Sequence, residues 1–117
     1  MRLLSKSSFM THHTLGEFEE LVLLMVAAQH DNAYGVSILA GLEQDLKRKV
    51  NISAVHVALK RMEDKGFVKS WFGGITEDRG GRRKKFYTVS ALGKRMLDEQ
   101  HALRNSIYKR IPKISFN

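Results

Sequence analysis

Apolar residues recur along this chain first at helical spacing and then at strand spacing, and the order of those two periods sets out an architecture. Phe18, Leu21, Val22, Met25 and Val26 fall three or four positions apart, which is the period of a buried helix face. Thr14 and Glu17 have the spacing of a capping box, with acids at the positive end of the helix dipole, so a first helix is predicted to run to about Gln29. Asp31 and Asn32 suit the turn that follows. A second helix is predicted over Tyr34 to Lys47, with Val36, Leu39 and Leu42 or Leu46 facing inward. Its basic end, Lys47, Arg48 and Lys49, complements the negative helix terminus. Val50 to Ile52 reads as a minimal strand. Ser53 then caps a third helix that carries Val55, Leu59 and Met62 on one side and closes at Gly66.

Beyond Gly66 the pattern changes. FVKSWF, Phe67 to Phe72, partly alternates and pairs in sequence with Lys85 to Ser90 across a charged, glycine-rich connection, which predicts a β-hairpin. Ser90 caps a last helix in which Leu92, Met96, Leu103 and Ile107 form a narrow stripe that ends near Pro112. The small core is already accounted for by then, so a second subunit is the expected cover for that stripe. Three helices followed by a hairpin give a mainly α fold with a small β-hairpin (α+β), a winged helix-turn-helix with a C-terminal dimerisation helix. The expected division is a poorly ordered segment over 1–13, a winged-helix domain over 14–90, and a dimerisation helix and tail over 91–117.

Composition narrows the chemistry. A length of 117 residues allows one modest core, and a net charge of +8 favours an anionic partner, nucleic acid before membrane. The longest apolar run, LVLLMVAA, is far too short to span a bilayer. With no cysteine, disulfides and thiol catalysis are excluded and a cytoplasmic location is expected. His12 and His13 are adjacent and do not share a face, so no metal site is expected. No nucleophile, base and acid form a constellation, so neither enzymatic activity nor a cofactor is expected. Gly73-Gly74 and Gly80-Gly81 flank the hairpin connection and serve turns.

Charge is concentrated where the architecture gives it a use. RGGRRKKFY, Arg79 to Tyr87, carries five of the twenty Lys and Arg residues, and a basic hairpin tip lies naturally against a phosphate backbone. Arg82, Arg83 and Lys84 are the candidate phosphate contacts. The third helix presents Ser53, Ala54, His56, Val57, Lys60 and Arg61 outward, small in its first turn and basic later, which lets its start approach base edges. Lys60 and Arg61 point about 100° apart and do not both face DNA. Tyr34 offers a hydroxyl to a phosphate or packs its turn, and Trp71 reads as a packing residue. A protein-contact winged helix and an RNA-binding module are the competing readings, the latter needing exposed rings for single strands.

The chain also resembles the PadR family of bacterial transcriptional regulators. The resemblance is carried by Ala33-Tyr34-Gly35-Val36, by VHVALKRMEDKG from Val55 to Gly66, by GGRRKKFY from Gly80 to Tyr87, and by Ser90-Ala91-Leu92-Gly93. It covers about Leu15 to Leu97. It implies a winged-helix homodimer that binds double-stranded DNA, represses nearby genes and often answers to phenolic or other small aromatic effectors, with the C-terminal helix exchanged between subunits. The family pattern usually has tyrosine where this chain has His56, a group that titrates near neutral pH. The chain stops soon after the C-terminal helix, as in the short subgroup of the family.

Overall fold

The computed structural model describes residues 15–75 and 83–116. Helix α1 (Glu17–Gln29) leads through a 3₁₀ turn (His30–Asn32) and a two-residue strand β1 (Ala33–Tyr34) into α2 (Gly35–Leu46) and α3 (Ile52–Asp64). Strands β2 (Val68–Ile75) and β3 (Arg83–Val89) form the hairpin, and α4 (Ala91–Tyr108) ends the regular structure. This is the expected winged helix-turn-helix order, with one short strand added. Val22, Leu23 and Val26 of α1, Ile38 and Leu42 of α2, and Val55, Leu59 and Met62 of α3 meet Phe67, Val68 and Tyr87 in a single core. Fully burying each large apolar side chain there contributes about 1.5–3 kcal/mol.

Helix boundaries follow the capping chemistry, and here several expectations are corrected. Helix α1 starts after Gly16 without a side-chain cap, relying on Glu17, Glu19 and Glu20 against the dipole. Glu17 is thus the first helical residue rather than the third, and Thr14 lies outside the described residues. Tyr34 is the N-cap of α2, and its N–H donates to Ser37 Oγ (2.9 Å). Ser37 Oγ donates to Gln29 Oε1 (2.7 Å), while Gln29 Nε2 donates to the Ser37 carbonyl (2.8 Å), which fixes α2 against α1. Starting the helix at Gly35 turns Val36 outward to 53 % exposure, and Ile38 takes the inward position with Leu42. Residues 50–51 form no strand. Instead Asn51 Oδ1 accepts from the N–H groups of Ser53 (2.7 Å) and Ala54 (3.3 Å), so Asn51 caps α3 and Ser53 lies inside its first turn. Gly66, at φ 85°, closes α3. Phe67 N–H reaches the Met62 carbonyl (2.8 Å) and Gly66 N–H that of Glu63 (3.0 Å), the paired bonds of a Schellman end.

The sheet is antiparallel in the order β1-β3-β2. Val68 pairs with Val89, Trp71 with Phe86 and Phe72 with Lys85, with a bulge between Phe72 and Ile75 at the two glycines. Tyr34 pairs with Phe86, which joins the start of α2 to the hairpin. Ser90 caps α4 as expected: its Oγ accepts from Gly93 N–H (3.0 Å) and donates to the Gly66 carbonyl (2.6 Å). A Cβ at position 93 would collide with the Phe67 carbonyl oxygen, so this close crossing needs glycine. Near its middle α4 anchors the start of the fold, where Gln100, buried, accepts from Leu15 N–H (2.9 Å). Beyond it, residues 101–116 are exposed throughout.

Candidate nucleic-acid interface

Four buried residues of α3, Val55, Ala58, Leu59 and Met62, define the face it turns inward, and helical periodicity then assigns the rest. Ser53, Val57 and Lys60 form an exposed outward ridge. His56 lies on the flank toward α2 and the hairpin, and Ala54 with Arg61 on the flank toward α1. All six expected reading residues are therefore accessible, with Ala54 half-buried.

His56 is where the three parts of the fold converge. Tyr34, Gly35 and Val36 from the start of α2, His56 from α3, and Lys85 and Tyr87 from β3 line one cleft of about 200 Å³. Glycine at position 35 lets the ring lie this close: a Cβ there would approach His56 Cε1 to 2.8 Å and push the imidazole aside. On the other side of α3, Gly16, Phe18, Glu19, Ala54, Val57 and Arg61 border a wider groove.

The hairpin carries its cations on rings. Arg83 Nε donates to the Gly73 carbonyl (3.1 Å), and its guanidinium carbon lies 5.8 Å from the Phe72 ring centre. Lys84 Nζ stands 4.3 Å over the Tyr34 ring, which itself meets Phe86 edge-on at 5.6 Å. Such contacts hold the long side chains without neutralising them. Trp71 stacks on Phe86 at 5.8 Å and is still 42 % exposed, so it packs on one face only. Arg82 and the Gly80-Gly81 turn lie outside the described residues.

Charge on α3 is treated differently. Lys60 Nζ is 3.1 Å from Asp64, Arg61 is 3.7 Å and Lys65 3.5 Å from Glu19, and Lys85 is 3.7 Å from Glu63. Glu63 also accepts from Ser70 Oγ (2.6 Å), tying the end of α3 to β2. Burial, and secondarily the Glu63 carboxylate, push the Tyr87 hydroxyl above its ordinary value of 10.0. Lys85 and Gly35 were missed as site residues in the sequence. Lys85 belongs to the basic run, but only the pairing of β1, β3 and β2 turns it toward His56.

The expected dimerisation stripe divides. Met96 is fully buried and Leu92 half-buried in the chain's own core, because the Gly93 crossing presses the first turns of α4 onto the hairpin base. Met96 therefore presents no surface to a partner, and Leu92 only part of one. Leu103 and Ile107, 55 % and 51 % exposed, remain on the free half of the helix.

Among the described residues, no group of three His, Cys, Asp or Glu is placed to hold a metal ion, and no helix is long and apolar enough to cross a membrane.

Comparison with known proteins agrees with this fold. No functionally curated protein matches the chain. Among solved structures, a PadR family transcription regulator from Clostridium difficile is 26% identical, with 79% of this chain and 92% of that one aligned at a TM-score of 0.61. A PadR-like transcriptional regulator from Bacillus cereus is 16% identical over 89% of this chain and 92% of its own, at a TM-score of 0.66. RosR of h. salinarum, 19% identical over 87% and 83% of the two chains, has a TM-score of 0.62. Residues 23–99, from within α1 to the middle of α4, match the transcriptional regulator PadR-like family, and with the winged helix in place the chain belongs to that family.

Proposed function

We propose that the protein is a sequence-specific, double-stranded-DNA-binding repressor that acts as a homodimer in the cytoplasm. The observation that carries this reading is the shared cleft of His56 and Lys85, which puts the reading helix and the hairpin on one surface. Ser53, Ala54, His56, Val57 and Lys60 face base edges, and Arg83 and Lys84, with Arg82, hold phosphates beside them. Tyr34, under Lys84 and at the edge of the cleft, sets the wing against α2 and borders the same backbone. The exposed half of α4 pairs the subunits through Leu103 and Ile107, which places two reading helices about 34 Å apart on a pseudo-palindromic site. Repression and its relief by a small aromatic effector rest on the family resemblance, with Tyr108 as the aromatic residue of α4.

Selection from random duplex DNA, followed by gel shift against single-stranded RNA competitor, tests the reading. Enrichment of an inverted repeat that RNA does not displace is expected. A protein that enriches no sequence, or that RNA displaces more readily than DNA does, is not this regulator. Exchanging His56 for Tyr should change the enriched half-site, and an unchanged half-site would remove His56 from the reading surface.

A further inference from the structure

The chain carries a large positive charge, yet the helix assigned to reading bases offers almost none of it. Lys60, Arg61 and Lys65 are the cations of α3 and its C-cap, and each has a carboxylate: Asp64 at 3.1 Å for Lys60, and Glu19 at 3.7 and 3.5 Å for the other two. Lys85 of the hairpin, beside α3, has Glu63 at 3.7 Å. These acids come from two elements, α1 and α3, so the pairing is not an accident of one helix repeat. Glu19 is the most enclosed of them, its side chain 14 % exposed between two cations. Arg83 and Lys84 instead lie over rings, which leaves their charge available.

We infer that Glu19, Glu63 and Asp64 are specificity-determining residues that neutralise the cations of the reading helix and of the hairpin strand beside it, and so keep this surface from binding DNA of any sequence. This rests on the duplex-reading surface proposed above. Phosphate attraction is sequence-independent and grows with each cation that can release a counterion. A cation already held by a carboxylate gains less from a phosphate, since it must first give up that partner. The helix then gains affinity chiefly through base contacts, and the wing supplies the sequence-independent grip.

The test is binding of a random-sequence 30-base-pair duplex across a range of KCl concentrations by wild type, by the triple variant Glu19→Gln, Glu63→Gln, Asp64→Asn, and by Asp64→Asn alone. Circular dichroism confirms the fold of each. Asp64 forms only an exposed pair with Lys60, so its single variant keeps the test open if the triple variant unfolds. Random duplex should bind roughly two- to five-fold tighter per carboxylate removed. The log–log salt slope should steepen by up to about 0.9 for each cation freed. Unchanged affinity and slope, or weaker binding because the acids serve to position the cations, would overturn the inference. If wild type still enriches a sequence in that event, the regulator reading stands and only the neutralising role falls. If neither protein retains duplex at the lowest salt, both fall.

Discussion

Gly93 and Tyr87 show how single residues carry this fold. A methyl group at position 93 meets the Phe67 carbonyl, a backbone atom that cannot rotate away. Gly93→Ala should therefore cost about 2 kcal/mol or more, read as a lower urea midpoint. Tyr87 holds its proton more tightly folded than unfolded, since burial and Glu63 both raise it. Its contribution to stability is complete below the unfolded value near 10 and declines as pH rises past it. Thermal melts from about pH 8 to about pH 11 should show a steeper alkaline loss in wild type than in Tyr87→Phe. Parallel curves would remove Tyr87 from that loss. Neither role could be read from the residues alone. Gly93 stood in a recognisable motif, but the carbonyl it avoids is 26 residues away, at Phe67. His56 was legible as an outward residue because periodicity assigns helix faces, whereas its fit against Gly35 depends on how α2 crosses α3.

At the level of elements, period and order sufficed for the architecture, and competition between nearby caps decided the boundaries. Asn51 and Ser53 are both good N-caps, and Asn51 wins because its side chain reaches two N–H groups at once. That choice absorbs Ile52 into α3 and abolishes the short strand expected there. The hairpin was visible in the pairing of FVKSWF with Lys85 to Ser90. The role of Lys85 was not, because it depends on a third strand of only two residues. For the wing, changing Arg83 and Lys84 to Ala should weaken binding to specific and random duplex alike and flatten the salt slope by up to about 0.9 per cation. A slope that does not move would place these two cations away from phosphate. The same substitutions should leave the preferred sequence unchanged, since phosphate contacts carry no base information.

For the whole molecule, the division of α4 separates the residues that fold the chain from those proposed to pair it. Met96 belongs to the core, so Met96→Ala should lower stability by about 2–5 kcal/mol. Leu103→Asp with Ile107→Asp should leave the circular dichroism spectrum intact and convert a sedimenting dimer to a monomer. Retention of the dimer would move the subunit contact elsewhere. The sequence joined these four residues in one stripe because helical spacing records which side of a helix a residue occupies, not where along it the parent chain stops covering it. From His101 onward the helix touches its own body through the Arg104–Glu20 ion pair at 3.3 Å and leaves Leu103, Ile107 and Tyr108 exposed. If subunits pair there as proposed, heat resistance becomes a function of how much protein is dissolved: by mass action, the melting midpoint of wild type should climb on concentration, and that of the doubly substituted chain should stay level.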